Sequence, residues 1–393
     1  MPNSIHTAKR ITSIDIARGV AMVIMALDHV RDYFHADSFI YEPTDLSKTS
    51  FLIFGTRWIT HFCAPAFMLL TGASAFLVGE RKGIRALSKF LFTRGLFLVF
   101  LEFTVINFAW NFNIRFPEID FLVLWSLGVS MIALSAMVYL PKKIILAMGI
   151  LLVAGHNLLD NVHVTGNGVK AFLWSLLHDP ALFNFGGENF FVLYPIIPWI
   201  GIIALGYSLG SLYSGATDEK TRRKTLLWMG TGAIVLFIII RGINLYGDPI
   251  PWSKQPLTSF SFLSFLNVTK YPPSLLYALM TLGPTLLFLA ITESANGRLS
   301  KIFMVFGRTA MFYYILHIFL IHILATLATP LCGHTYSDMI WDSFYNPKLT
   351  GYGFSLGIVY SVWLLVLVIL YPLCNRYDKY KKLHKEKWWL SYL

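Results

Sequence analysis

The sequence contains little charge. Asp, Glu, Lys and Arg make up 13% of its residues, whereas 56% of its residues are hydrophobic. Soluble globular domains carry a charge on about a quarter of their residues, so this composition excludes an ordinary soluble protein. Phe, Tyr and Trp make up 16% of the chain, as expected where aromatic side chains lie at membrane–water interfaces. The composition predicts an all-α, polytopic integral membrane protein.

Cysteine is equally scarce. Cys63, Cys332 and Cys374 are widely separated, which argues against a disulfide framework and against a cysteine-based zinc site. We predict no strands, and therefore no glycine-rich phosphate-binding loop of the kind that follows a strand. The sequence also lacks the histidine and glutamate spacing of a helical zinc protease. His317 and His322 are five residues apart and do not share a helix face. We therefore expect no bound metal.

Long hydrophobic runs, by contrast, recur along the whole chain. Runs of about 20 residues can span a bilayer as a helix. We predict about ten such helices, near residues 14–34, 56–79, 88–111, 119–140, 143–160, 190–213, 223–243, 271–292, 303–328 and 353–374. They form a single transmembrane domain over residues 1–393 with no cleavable signal peptide. The apolar stretches Val169–Leu177 and Phe260–Val268 are too short to span, so we expect them to be interfacial or re-entrant.

Lys and Arg are distributed unevenly over the connections between these helices. The N-terminus, alternate connections and the basic tail 375–393 hold 19 of them, whereas the other connections hold six. Cytoplasmic segments are enriched in positive charge, so the pattern predicts that both termini are cytoplasmic. The net charge of +11 is then a sign of topology and not of a nucleic-acid partner, and membrane lipids surround the protein.

The first predicted helix carries ionisable groups at both ends, although a charge at bilayer depth costs about 2.5–3.5 kcal/mol. Arg18 and His29 are eleven residues apart, which places them on one face and about 16 Å apart along the axis. Asp15 lies near the same face. It forms either a helix-end ion pair with Arg18 or part of an anion site. His29 is a candidate general base, with Asp28 or Asp32 to orient it.

Further polar candidates lie past the first helix and in later spans. His35 shares a second helix face with Asp28, and His61 is expected at the depth of His29 on an antiparallel neighbour. Glu102 is the one carboxylate well inside the third predicted helix. His317 lies near the middle of the membrane in the predicted helix 303–328, and a histidine there is costly unless it faces a cavity or a partner. Packing against polar neighbours is the simpler alternative for each. The predicted substrate cavity is lined by His61, Arg31, His317 and Glu102.

The motifs in this sequence resemble a known family. Ser13-Ile14-Asp15-Ile16-Ala17-Arg18-Gly19, Asp28-His29-Val30-Arg31-Asp32-Tyr33-Phe34, His61-Phe62-Cys63-Ala64-Pro65 and Gly307-Arg308 with Tyr314 and His317 are similar to bacterial members of the heparan-alpha-glucosaminide N-acetyltransferase-like family. The resemblance covers residues 10 to about 80 well and the remainder mainly by topology. It implies a bacterial inner-membrane enzyme that transfers an acetyl or short acyl group from acetyl-CoA to a hydroxyl or amine of a sugar or glycan. Related enzymes can be homodimers.

The resemblance nominates two catalytic histidines. In the lysosomal enzyme the proposed histidine lies in the first luminal segment, which His35 matches only after a gap. The related acyltransferase-three superfamily has an Arg followed eleven residues later by an essential His, and Arg18 and His29 match this spacing without a gap. We favour His29, with Arg18 and Asp15 binding the acyl-CoA donor. A transporter of a glycan or lipid-linked precursor is the alternative, since intramembrane ionisable residues suit it equally.

Overall fold

A computed structural model describes residues 11–38, 40–343, 347–384 and 386–391. In this part of the chain α-helices predominate and one small sheet is present. The helices are α1 (Thr12–Phe34), α2 (Phe51–Thr60), α3 (Cys63–Lys82), α4 (Ile84–Leu101), α5 (Asn107–Asn111), α6 (Val123–Met137), α7 (Lys142–Gly155), α8 (Val169–Leu177), α9 (Ile197–Gly210), α10 (Glu219–Ile243), α11 (Thr258–Leu266), α12 (Leu275–Ile291), α13 (Arg298–Arg308), α14 (Ala310–Ala328) and α15 (Leu356–Leu383). The strands are β1 (Glu118–Phe121), β2 (Ala181–Phe185) and β3 (Glu188–Val192).

Six helical segments of the described chain are long and apolar enough to cross a membrane. They are Phe51–Lys82, Ile84–Asn111, Lys142–Leu159, Glu219–Ile243, Ala310–Cys332 and Leu356–Leu383. Three shorter apolar helices are Val123–Met137, Ile197–Tyr213 and Leu275–Ile291. Large apolar side chains point outward from the long helices, and Leu151, Trp228 and Val368 are 69%, 70% and 71% exposed. Such a surface suits lipid and not water, so the chain is a mainly helical membrane protein; ten spans remain a prediction.

The 23-residue helix α1 lies at the centre of the fold. It packs against α2, α3, α12, α13, α14 and α15, and most of its side chains are buried, including those of Asp15, Asp28 and Arg31. Its bounds agree with the predicted helix 14–34. Because so many helices surround α1, its ionisable groups face protein and internal cavities instead of lipid, as intramembrane charges require.

The second predicted helix is not continuous, since it breaks between α2 and α3. Pro65 lies in the first turn of α3 and has no N–H to donate to the carbonyl of His61, four residues earlier. The Tyr277 hydroxyl donates to that carbonyl instead, at 2.7 Å. The predicted helix 303–328 is also divided, at Thr309 between α13 and α14. Both breaks place polar residues inside the helical bundle.

The expectation that the chain has no strands is wrong. Strand β3 lies between β1 and β2 and pairs in parallel with β1 and antiparallel with β2. Phe190 of β3 is opposite Ile119 of β1 on one side and opposite Phe183 of β2 on the other. Gly186 and Gly187, at φ of 64° and 97°, form the two-residue turn of the β2–β3 hairpin, a turn that requires positive φ. The first residues of the predicted helices 119–140 and 190–213 therefore belong to strands.

Small residues bring helices into backbone contact, as the sequence after Thr71 indicates. A Cβ atom added to Gly72 of α3 would lie 2.1 Å from the carbonyl oxygen of Ile203 in α9, and one added to Gly206 would lie 2.1 Å from that of Leu69. Close approach of this kind is typical of membrane helix pairs. The short apolar stretches of the outer loops are helical: α8 has the predicted bounds, and α11 begins and ends two residues earlier than Phe260–Val268.

Candidate functional site

Two histidines from distant parts of the chain form a pair in the middle of the protein. His29 is in the last third of α1, and His317 is in the second turn of α14. The His29 Nδ1 and His317 Nε2 atoms are 2.7 Å apart, and the two rings are nearly parallel, with centroids 4.9 Å apart. The edge of His29 also meets the Trp110 ring, at a centroid distance of 4.9 Å. His317 is fully buried, whereas His29 is partly exposed.

The hydrogen bonds of this pair define which nitrogen carries each proton. His317 Nδ1 lies 3.1 Å from the carbonyl oxygen of Tyr313, and because a carbonyl only accepts, Nδ1 is the protonated nitrogen. The Nε2 atom of neutral His317 is then an acceptor, so His29 donates through Nδ1. It follows that Nε2 of His29 carries a lone pair. This is the arrangement that a general base requires.

His29 lies where two cavities meet. One cavity, of about 320 Å³, runs along α1 from Arg18 to His29; we call it the amino-end cavity. The other, of about 600 Å³, extends from His29 past the end of α1; we call it the carboxyl-end cavity. The residues that line both are Asp28, His29, Val123, Tyr194, Lys270 and Tyr314. A molecule in either cavity can therefore reach the same imidazole.

The amino-end cavity is cationic. Beyond the six shared residues, the charged side chains lining it in the described chain are those of Arg18, Arg94, Arg308 and Lys381. Arg18 donates to the Ser74 hydroxyl at 2.9 Å, which turns its guanidinium toward α3. Four cationic side chains around one apolar cavity favour an anionic ligand.

Asp15 forms ion pairs with two of these cations, Arg308 and Arg18. Its carboxylate lies 3.1 Å from Nε of Arg308 and 4.0 Å from Nη1 of Arg18. Arg308 is also 3.8 Å from Asp378 of α15. Asp15 is buried and does not line the cavity, so the position predicted to bind a ligand together with Arg18 instead supports two arginines that face the cavity.

Glycine allows this arrangement. Helices α1 and α13 cross in backbone contact: a Cβ added to Gly19 would lie 1.8 Å from the carbonyl oxygen of Phe303, and one added to Gly307 would lie 1.9 Å from that of Asp15. No other residue leaves room for this approach. The contact places Arg308, the residue after Gly307, beside Asp15.

Asp28 is the centre of an ion-pair network and is not bonded to His29. It accepts from Nη1 of Arg57 at 2.6 Å and from the Thr60 hydroxyl at 2.9 Å, and it lies 3.0 Å from Nη2 of Arg31. Asp32 also pairs with Arg31. Where the sequence suggested a carboxylate, the group that orients His29 is the imidazole of His317.

The carboxyl-end cavity mixes charges with aromatic rings. Its lining includes three carboxylates, Asp28, Asp32 and Glu42, and three cations, Arg31, Arg57 and Lys270. Six aromatic side chains line the same space, namely Tyr41, Trp110, Tyr194, Tyr271, Tyr314 and Trp341. Within the described chain, Nε and Nη1 of Arg31 have no hydrogen-bond partner. Such a cavity combines flat apolar surfaces with hydrogen-bond donors and acceptors.

Five predicted residues line neither cavity: Asp15, described above, and His35, His61, Glu102 and His317. His317 contacts the site through His29. His35 follows α1, accepts from the backbone N–H of Asp37 at 3.2 Å and lies in a backbone bridge with Phe354. Burial lowers the pKa of His35, against the opposing charge of Asp37, so the ring is neutral at pH 7. His61 is buried at the α2–α3 break beside Tyr277. None of the atoms of His35 or His61 lines either cavity.

Glu102 has a structural partner. Its carboxylate accepts from the backbone N–H of Trp125 at 2.9 Å, in the first turn of α6, where helix N–H groups lack partners of their own. It lies on a π-helical turn, Glu102–Ile106, between α4 and α5. Glu102 is fully buried and does not line the cavities, so its observed contact is a cap on α6.

Several residues of the site were not among the sequence candidates. Arg57 lies at the start of the predicted helix 56–79 and Lys270 in a predicted connection, and a single cation at either place carries no signal of its own. Arg308 was noted only as part of a Gly-Arg motif, and Trp110 and Tyr314 are two of many aromatic residues. Arg57, Arg308, Trp110 and Tyr314 become recognisable only through their contacts with Asp28, Asp15 or His29. Lys270 becomes recognisable because it lines both cavities.

The apolar helices enclose two cavities that are lined in part by charged side chains. This arrangement is that of an integral membrane protein with a buried polar site. The family model of heparan-alpha-glucosaminide N-acetyltransferase, catalytic, matches residues 10–242, more than half of the chain. The chain therefore belongs to this family of membrane acetyltransferases. The match includes His29 and Arg18 and ends before Arg308 and His317. No curated protein sequence matches the chain.

Proposed function

We propose that this protein transfers an acetyl or short acyl group from an acyl-CoA to a hydroxyl or amine of a sugar or glycan, with His29 as the general base. The observation that carries the proposal is the lone pair of His29 Nε2 at the meeting point of a cationic cavity and an aromatic, carboxylate-containing cavity. A base between two binding spaces lets donor and acceptor be present together.

The amino-end cavity suits the donor. Coenzyme A carries several phosphate charges, and guanidinium groups bind phosphate through paired donors. Arg18, Arg308 and Lys381 line this cavity. Its other walls are largely apolar and suit the pantetheine arm. The excess of Lys and Arg at this end of the helices supports a cytoplasmic orientation, in an inner-membrane protein with ten spans and both termini cytoplasmic.

The carboxyl-end cavity suits a sugar acceptor. Aromatic faces stack on the apolar faces of sugar rings, while carboxylates and guanidinium groups bond their hydroxyls. Trp110 and Tyr314 lie beside His29, and the side chains of Asp32 and Arg57 line the same space.

The reaction then needs one proton relay. Nε2 of His29 takes the proton of the acceptor O–H or N–H, and the acceptor atom attacks the thioester carbonyl carbon. The carbon–sulfur bond breaks, and the thiolate of CoA leaves and receives the proton from His29. His317 accepts the Nδ1–H bond of His29 throughout and holds the ring in one orientation.

Arg18 provides a test of donor binding. Replacing Arg18 with alanine should raise KM for acetyl-CoA by about 10- to 100-fold, because a hydrogen bond to a charged group contributes about 1.5–3 kcal/mol. Initial rates at varied acetyl-CoA would measure this, and Arg18→Lys should recover part of the loss. Arg115→Ala, which changes an exposed arginine outside the cavity, is the control. An unchanged KM for Arg18→Ala would show that the donor does not bind in this cavity.

His317 is a positioning residue in this proposal. His317→Ala should lower kcat about tenfold, the value of one hydrogen bond of about 1.4 kcal/mol, and leave KM nearly unchanged. His317→Gln should restore activity in part, because its amide oxygen can accept from His29. A purely structural role predicts no rescue by glutamine. His322→Gln serves as a control, since His322 bonds the carbonyls of Ala109 and Met339 and lies outside the lining of both cavities.

The deciding experiment measures release of the CoA thiol from acetyl-CoA by purified protein, with a panel of amino sugars and glycans as acceptors. Release that depends on an acceptor would establish acyl transfer. If the protein neither releases the thiol nor binds CoA in calorimetry, the two joined cavities belong to a carrier for a glycan or lipid-linked precursor instead. Uptake of labelled glycan into proteoliposomes would then be the next measurement.

A further inference from the structure

A second cluster of ionisable side chains lies away from His29, at the junction of α7 and α8. His156 and Asp160 are one turn apart at the end of α7, and His178 follows α8. Nδ1 of His156 is 3.2 Å from Nε2 of His178, which in turn is 3.5 Å from Oδ1 of Asp160. The third pair of ligand atoms, on His156 and Asp160, is within 4.8 Å. Both histidines are 3% exposed.

These spacings match a tetrahedral metal site. Zinc–nitrogen and zinc–oxygen bonds of about 2.0–2.2 Å place neighbouring tetrahedral ligands about 3.3–3.5 Å apart. The observed 3.2 Å and 3.5 Å separations need little adjustment. Two imidazoles and one carboxylate are ligands that Zn²⁺ and similar ions prefer. Nε2 of His178 lies 2.9 Å from the carbonyl oxygen of His156, which only accepts, so metal binding displaces the proton of this nitrogen. Water can complete the ligand set.

Surrounding residues hold the three ligands in place. The Asn157 amide donates to Oδ2 of Asp160 at 2.8 Å, which leaves Oδ1 toward His178. Asn157 also accepts from the backbone N–H of Leu275 at 2.9 Å, which anchors it to α12. The ring of Trp174 stacks on His178 at a centroid distance of 5.6 Å. Such outer contacts orient ligands in metal sites.

The carboxylate also lacks a permanent counter-charge. Among the described residues, no Lys or Arg forms an ion pair with Asp160, and its one neighbour at ion-pair distance is His178. A carboxylate whose side chain is 13% exposed and that has no permanent counter-charge gains from a bound cation.

We infer that His156, Asp160 and His178 form a structural binding site for a divalent transition-metal ion of the Zn²⁺ class. This replaces our expectation from sequence that the protein binds no metal. The three residues are 22 positions apart at most. His156 and Asp160 lie at the end of α7 and His178 lies just before β2, so a metal ion fastens the intervening loop to the bundle.

The site has a consequence for the carboxyl-end cavity. His178 lies three residues before β2, which pairs with β3, and β3 is followed by Leu193 and Tyr194. Both of these residues line that cavity. A metal ion at His178 would fix the start of the hairpin that positions them, at some distance from the imidazole of His29.

The test uses full-length protein without a polyhistidine tag, stripped with a chelator. Titration with Co²⁺ should give one equivalent of a tetrahedral complex by visible absorption, and Zn²⁺ should displace it. Zn²⁺ at 100 times its Kd should raise the thermal midpoint by about 3 °C. Asp160→Asn and His178→Gln, which preserve size, should weaken binding about 100-fold.

His163→Ala is the matched control. His163 is an exposed histidine on the same loop, with a 62% exposed side chain, and it pairs with Asp179 at 2.9 Å. Its loss should leave Co²⁺ binding unchanged. The inference fails if wild-type protein binds no stoichiometric Co²⁺ or Zn²⁺, or if Asp160→Asn and His178→Gln bind the metal as tightly as wild type does. It also fails if His163→Ala weakens binding as much as they do.

Discussion

Replacing His29 with alanine should lower kcat for acyl transfer by about 100- to 10,000-fold, the range that a positioned general base contributes. The substitution removes the lone pair of Nε2 from the meeting point of the two cavities and leaves the cationic lining of the amino-end cavity in place. We therefore expect KM for acetyl-CoA to change little. Acceptor-dependent release of the CoA thiol, with kcat and KM determined separately, is the measurement.

His35→Ala is the matched control for this prediction. His35 lies six residues beyond His29, outside both cavities, and its ring contacts the backbone N–H and the carboxylate of Asp37 in the turn that follows α1. Its loss should leave kcat within about threefold of wild type, the effect of a modest structural change. If the two variants exchange roles, with His35→Ala inactive and His29→Ala active, the base is His35 and the cavities must open differently from the arrangement described.

The second large effect concerns the contact of α1 with α13. Gly307→Val should destabilise the protein by about 3 kcal/mol or more, at the upper end of overpacking costs. A Cβ at position 307 lies 1.9 Å from the carbonyl oxygen of Asp15, and neither backbone can yield without separating the two helices. Separation also moves Arg308 away from Asp15, so the folded fraction should bind acetyl-CoA weakly. Thermal midpoints in detergent and CoA calorimetry measure the two effects.

Gly232→Val is the control for helix propensity. Gly232 lies inside α10, and no atom is within 4 Å of a Cβ added there. Valine has a higher helix propensity than glycine, so this variant should be as stable as wild type or slightly more so. An equal loss of stability in both variants would mean that the effect comes from insertion or expression and not from the α1–α13 contact.

The sequence is sufficient to predict α1 and its two charged ends. A long apolar run with Arg18 and His29 on one face leaves little choice of local structure, and the observed bounds of α1 agree with the predicted helix. The pairing of His29 with His317 could not be predicted, because the two residues are 288 positions apart and the local sequence of α14 gives no sign of the partner. The same holds for Asp28, whose proximity to His29 in sequence suggested a catalytic contact but whose carboxylate reaches Arg57 on α2.

Local signals were present for two features that the sequence interpretation missed. Gly186-Gly187, between short alternating aromatic segments, is a typical hairpin turn, yet the hydrophobicity of residues 190–192 led us to assign them to the next helix. Pro65 indicates a break before α3, although its position in the first turn also fits an uninterrupted start. The cluster at His156 depends on a residue 22 positions later, and no local pattern connects them.

The position of Asp28 bears on the electrical insulation of the membrane. Two cavities that meet across a bilayer form a route along which ions could leak, and a potential of 100 mV drives each elementary charge with about 2.3 kcal/mol. At the junction, Asp28 is bound by Arg57 and Arg31, and Lys270 adds another positive charge. Small cations meet repulsion there. If the protein acts as proposed, the positive charge around His29 keeps small cations from passing from one cavity to the other.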